Sequence, residues 1–266
     1  FINAANFLQD IFYKPFVFCI FALKYAVMLV KTRALVLHSL KYGDSKLIVD
    51  LFTEKEGRVS IIQTISSSRH GRIRRQLFQP LTILDVVYDV HPKGSLQRLK
   101  EARMLYPYSS IPFDAAKLSL CIFVSEFLCQ ATRNEQQNVP LFNYVMASMR
   151  WLDGCERPAP NFHLVFMLRL ALFLGFQPNV EDEGVFFDLR AACFVAQAPL
   201  HPDFLSAEDS KRLRVILRMN FDNMHLFAMS RADRSRCVDI ILTYYRLHFP
   251  DFKELKSLAV LKELFG

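Results

Sequence analysis

The sequence predicts an α+β protein: a small five-stranded barrel followed by an all-helical region. Three observations predict it. Short β-branched runs separated by turn residues fill residues 28–106. Beyond Pro112 the apolar residues recur at helical spacing instead. The charge is also uneven, because Met28 to Leu105 carry 14 Lys and Arg against 7 Asp and Glu, which accounts for nearly all of the formal net charge of +7.

Composition bounds the rest. A chain of 266 residues, 52% hydrophobic and 22% charged, is a folded protein of one large domain or two, and its 25 Phe supply aromatic material for a core. We read residues 28–106 as a nucleic-acid-binding barrel and residues 107–266 as a helical domain with an irregular insert at 179–202. The first 27 residues precede the first methionine, Met28. Their longest uncharged run, Pro15 to Leu23, is about half the ~20 residues that span a bilayer, and no signal-peptide pattern is present. They are expected to lie upstream of the natural start. The six cysteines (19, 121, 129, 155, 193 and 237) form no Cys-x-x-Cys pair. That spacing argues against a structural zinc and for a reduced, cytoplasmic protein with no cofactor.

The strands follow in order. Val30 to Leu40 is the first, and Tyr42-Gly43-Asp44-Ser45 turns the chain into Leu47 to Phe52. Glu54-Lys55-Glu56-Gly57 is a second turn, where Gly57 can take positive φ, and Arg58 to Gln63 is the third strand. A basic loop intervenes, densest at Ser66 to Arg75. Gln79 to Val90 is the fourth strand, His91-Pro92-Lys93-Gly94 a turn, and Leu96 to Leu105 the fifth. Five strands in about eighty residues fit an OB-fold, which binds oligonucleotides with a basic groove and stacking aromatics.

Four arginines lie within seven residues of the loop, at 69, 72, 74 and 75, with no acid among them. Their mutual repulsion calls for an anionic partner, and guanidinium groups suit phosphates. The expected DNA contacts are Arg33, Lys41, Lys46, Arg58, Arg69, Arg72, Arg74, Arg75 and Lys93, mostly to backbone and with little sequence preference. Tyr42, Phe52 and Phe78 are stacking candidates that equally suit a core. An RNA-binding or membrane-peripheral module using the same basic face is the alternative.

In the second half, Phe113 to Thr132, Val139 to Trp151 and Asn161 to Leu174 read as helices, the last nearly all apolar and closed by Gly175 and Pro178. Arg169 is its one full charge, either an internal or edge residue or a receptor for a partner's carboxylate. Residues 184–196, with two short apolar runs, suggest a small hairpin or an irregular insert. Ser206 and Ser230 each stand three residues before an acid, as helix caps do. Lys211, Arg214 and Arg218 share a helix face that extends the DNA track or is simply solvated. Glu181-Asp182-Glu183 reads as an exposed acidic turn. A helix through Tyr244-Tyr245-Arg246 and a short one from Glu254 to Leu264 end the chain. No Gly-rich phosphate loop, nucleophile elbow or paired metal carboxylates are present, so a binding protein is expected rather than an enzyme.

The order of motifs resembles the bacterial RecO family. The resemblance rests on Thr32 to Ser39, on Leu47 to Arg58 (LIVDLFTEKEGR), on the basic loop, on Leu77-Phe78-Gln79-Pro80 and on Leu174-Gly175-Phe176-Gln177-Pro178. Tyr244 to His248 and Glu254 to Ser257 are similar to Bacteroidetes-type members. The likeness runs in order from 28 to 266. It implies an OB-fold and a helical domain, and a recombination mediator in DNA repair. Such a protein binds single- and double-stranded DNA, anneals strands, and works with RecR and the single-strand-binding protein SSB to load RecA. It also implies an SSB-tail site on the helical domain, where the matching long helix offers Arg169 while the family's other basic residues do not align. Many members carry four zinc cysteines after the Leu-Gly-Phe step; here only Cys193 falls between Asn179 and Pro202.

Overall fold

A computed structural model describes residues 28–64, 75–90 and 96–265. The expectation for residues 1–27 lies outside these. Strands β1 (Met28–Tyr42), β2 (Lys46–Thr53), β3 (Gly57–Thr64), β4 (Ile83–Val90) and β5 (Gln97–Tyr106) close into a barrel of order β1-β2-β3-β5-β4. All pairs are antiparallel except β3 with β5, which join in parallel at Ile61–Gln97 and Ile62–Arg98. This is the connectivity of an OB-fold. Alternation puts Val36, Val49, Leu51, Ile61, Leu84, Val86 and Tyr88 inside the barrel.

The fourth strand starts later than the sequence suggests. Residues 75–78 form a 3-10 turn, and Leu81 takes a left-handed backbone at φ 58. Pro80 has no amide to offer a ladder, and the Leu81 amide instead donates to the Val36 carbonyl at 2.7 Å. That bond sits at a bulge in β1 between Val36 and His38.

Helices α1 (Ala115–Ala131), α2 (Val139–Gly154) and α3 (Phe162–Phe173) follow. Asp114 caps α1 by accepting from the Ala116 and Lys117 amides, and Asn138 caps α2 through the Leu141 amide. Helix α3 is buried on nearly every side, as its composition demands, and Gly175 at φ 83 ends it. The expected hairpin is β6 (Phe186–Asp188) with β7 (Cys193–Val195), and β8 (Phe204–Leu205) adds a third strand too short to leave a sequence pattern. Ser206 and Ser230 cap α4 (Ala207–Leu217) and α5 (Arg231–His248) by accepting from the Asp209 and Asp233 amides. The last helix, α6 (Leu258–Phe265), begins after the expected Glu254. The Glu126 carboxylate accepts from the Lys256 and Ser257 amides at 2.9 and 2.8 Å and so holds the chain open until there.

The two halves share one core. On the outer side of the barrel Leu35, Leu37 and Phe52 pack into the helical cluster with Phe123, Phe127 and Phe142. The Phe52 and Phe142 ring centroids are 6.0 Å apart, and the Ser125 hydroxyl donates to the Leu37 carbonyl. The β2–β3 turn presses on the α1–α2 loop so closely that a Cβ at Gly57 would lie 2.2 Å from the Gln136 carbonyl oxygen.

Candidate nucleic-acid interface

Strand register decides which side chains meet on the outer face of β1, β2 and β3. Leu35, Phe52 and Arg58 form one row, and His38, Asp50 and Ser60 the next. Leu40, Ile48 and Ile62 form a third row, which Arg98 on β5 extends, and Tyr42, Lys46 and Thr64 a fourth. The helical half covers the first row. It leaves the third and fourth accessible, with Leu40 and Tyr42 each 56% exposed.

The expected DNA contacts divide accordingly. Lys41 and Lys46 flank the β1–β2 turn, both exposed and without an ion pair among the described residues, Lys46 on the outer face and Lys41 opposite the interior-facing Leu47. Arg75 is exposed at the start of the 3-10 turn. Arg69, Arg72, Arg74 and Lys93 lie outside the described residues. The basic loop nevertheless leaves the barrel at Thr64, the register partner of Lys46.

Arg33 and Arg58 are engaged within the fold and do not join this face as free cations. The Arg33 guanidinium forms a two-pronged pair with Glu54, Nε donating to Oε2 at 2.8 Å, and also reaches Asn143. Arg58 donates to Asp50 at 2.9 Å and to the Cys129 carbonyl at 2.5 Å. Both cross from barrel to helices, so the domain contact uses donors that composition alone assigns to phosphate. Phe52 and Phe78 are buried in the two cores, which removes them as stacking platforms and leaves Tyr42.

Arg98 is the residue that sequence reasoning missed. It lies in a strand, and only the parallel β3–β5 pairing brings it beside Ile62. It is exposed, and its neighbour across β4, Asp89, is occupied by Lys100 at 2.7 Å. Asp85 likewise holds Arg103 at 2.6 Å. The acids Asp85 and Asp89 of β4 are thus engaged by Arg103 and Lys100, whereas among the described residues no ion pair holds Lys46 or Arg98.

On the helical half, Arg169 is exposed rather than buried. It lies close enough to Tyr144 for its charge to oppose the upward pKa shift that burial imposes on that phenol. Tyr144 is part of a half-buried ladder of near-parallel rings, 4.9 Å from Phe173 and 6.4 Å from Phe221, with Trp151 5.2 Å beyond Phe221. Lys211 and Arg218 are exposed, but Arg214 faces inward. Its guanidinium lies 3.5 Å from the Phe194 ring centroid and donates to the Asp182 and Gly184 carbonyls. The acidic residues 181–183 are exposed.

The insert does not fit a four-thiolate zinc site. Cys193 is its only thiol, and His201 is turned to Asp188 at 3.2 Å. Among the described residues no group of three or more His, Cys, Asp or Glu is placed to hold a metal. Nor is any described helix long and apolar enough to cross a membrane.

Comparison with known proteins agrees with this architecture. Residues 28–108 match the family model for the recombination protein O N-terminal region, and residues 112–259 match that for its C-terminal region. DNA repair protein RecO of Phocaeicola vulgatus is 49% identical over 241 residues, covering 90% of this chain and all of the relative. The RecO proteins of Bacteroides fragilis and Porphyromonas gingivalis are 46% and 34% identical, with the same coverage. Barrel, helical half and nearly full-length similarity together make this chain a member of the RecO family, whose curated relatives carry the name of DNA repair proteins.

Proposed function

We propose that this chain is a non-catalytic DNA-binding mediator that holds strands by their phosphates and promotes their annealing during recombinational repair. The observation that carries the reading is the gathering of cations at the β1–β2 end of the barrel. Lys46 and Arg98 stand in adjacent rows of the outer face by register, Lys41 lies at the same turn opposite the interior-facing Leu47, and the arginine-rich loop springs from Thr64, the partner of Lys46. Bringing two DNA strands together costs phosphate repulsion, and a cluster of fixed cations lowers it. Counterion release makes such binding fall steeply with salt, by about 0.9 logarithmic units per neutralised duplex phosphate for each tenfold rise in salt.

The finer expectations belong to the same proposal: action with RecR, recruitment to SSB-coated DNA, and loading of RecA. Arg169 beside the ring ladder of Tyr144, Phe173 and Phe221 offers a guanidinium next to an apolar surface, which suits an acidic and hydrophobic peptide such as the SSB tail. The test is strand annealing on SSB-coated oligonucleotides across a salt series. Replacing Arg69, Arg72, Arg74 and Arg75 by Ala should slow annealing and flatten the salt slope. Unchanged DNA affinity in that variant removes the loop from the mechanism. Competition by RNA or anionic vesicles at equal charge would favour the alternative partners.

A further inference from the structure

Strand β5 has a free edge. It pairs with β4 along its length but with β3 only at Gln97 and Arg98, so from Leu99 to Leu105 its other side meets no strand among the described residues. Such an edge offers backbone donors and acceptors to an added strand, and proteins commonly blunt it with lysines, prolines or bulges. Here the protection is incomplete. Lys100 is turned back onto Asp89 at 2.7 Å. The register shifts against β4 lie at either end, and Glu101, Ala102, Arg103 and Met104 between them form a regular run opposite Val87, Val86, Asp85 and Leu84. Met104 and Leu105 are 43% and 44% exposed, apolar surface that stays in water unless a partner covers it.

Charge along the run selects the partner. Arg33, Asp85 and Arg103 stand in one row across β1, β4 and β5 and alternate in sign, with Arg103 holding Asp85 at 2.6 Å. The next position outward in that row calls for an acid. Lys31, Val87 and Glu101 form the neighbouring row, where the next position calls for a base. Glu101 and Arg103 are both exposed. An antiparallel strand of the same sequence, centred on Ala102, meets both demands at once. Glu101 then faces Arg103 of the second copy, and Arg103 faces Glu101 of the second copy. We infer that β5 pairs with β5 of a second copy of this chain about a two-fold axis, joining the two barrels edge to edge. The same alignment lays Met104 and Leu105 along Lys100 and Leu99 of the second copy and so withdraws them from water. One short strand pair covers little surface, so the dimer is weak and forms as concentration rises. Such a dimer carries two cationic barrel ends.

The experiment is sedimentation velocity on the full chain across a concentration series without DNA. Wild type should pass from monomer to dimer as concentration rises. Glu101→Arg and Arg103→Glu, each at an exposed position and checked for fold by circular dichroism, should each weaken dimerisation about ten-fold or more, because two-fold symmetry places every like-charge contact twice. In an equimolar mixture of the two variants each cross-strand pair is again opposite in charge, and a heterodimer of near wild-type affinity should form. A wild type that stays monomeric up to about 0.1 mM overturns the inference. Single variants that dimerise as wild type does, or a mixture that associates no better than either variant alone, overturn it as well.

Discussion

Leu35 and Phe52 face each other across β1 and β2, on the outside of the barrel, yet both are completely buried in the core of the helical half. This pair is the seam of the molecule. It gives β1 two buried faces, since Ala34 and Val36 fill the barrel interior. It also makes the helical half a cover for part of the barrel's outer face.

Removing the Phe52 ring should therefore damage both halves. Phe52→Ala leaves a cavity against Phe142 and is expected to cost about 3–5 kcal/mol. Urea unfolding followed by the fluorescence of Trp151, which lies in the helical half, should shift together with a far-ultraviolet signal from the whole chain. A barrel that melts separately, with the Trp151 transition unmoved, would contradict a shared core.

Stability should fall in mild acid because of His163. Burial, and to a smaller degree the Arg234 charge, pushes its pKa down to about 3, and its Nδ1 has no hydrogen-bond partner among the described residues. Below the unfolded value of ~6.5 the unfolded chain takes up a proton that the folded imidazole refuses. Stability from this group is complete above pH ~6.5 and is lost as the pH falls toward 3. From pH 6.5 to 5 the loss is about 2 kcal/mol. His163→Leu should show a shallower decline over that range in denaturant titrations, and an identical slope would exclude His163 as the source.

The insert should be insensitive to chelators and sensitive to Arg214. That side chain stacks on Phe194 in β7 and ties the carbonyls of Asp182 and Gly184 to α4. Arg214→Ala is expected to cost about 1–3 kcal/mol through the lost cation–π contact and hydrogen bonds. Thermal melts with and without EDTA should coincide for the wild type. A chelator-dependent fall in Tm would reveal a metal that the donor set does not suggest.

Several parts of this protein were legible in the residue order because the physical cause is local. Alternation, Gly57 at positive φ and the turn at Gly43 mark the barrel strands, and the caps at Ser206 and Ser230 mark helix starts, all within a few residues. The late start of β4 was less legible, since Leu81 is held by a carbonyl 45 positions earlier in the chain. The site divides in the same way. Lys41 and Lys46 could be named from charge alone, but charge could not separate them from Arg33 and Arg58, whose partners Glu54, Asp50 and Cys129 are fixed by folding.

By itself the sequence determined the order of elements, the family and the location of the excess charge, because each depends on residue identity and short-range periodicity. Tertiary structure alone decided that Arg33 and Arg58 are held in ion pairs, that Arg98 lies beside Ile62, and that Leu40, Ile48 and Ile62 form an apolar strip there. Those outcomes depend on strand register and on the docking of one half against the other. Both are set by long-range burial that no local pattern encodes.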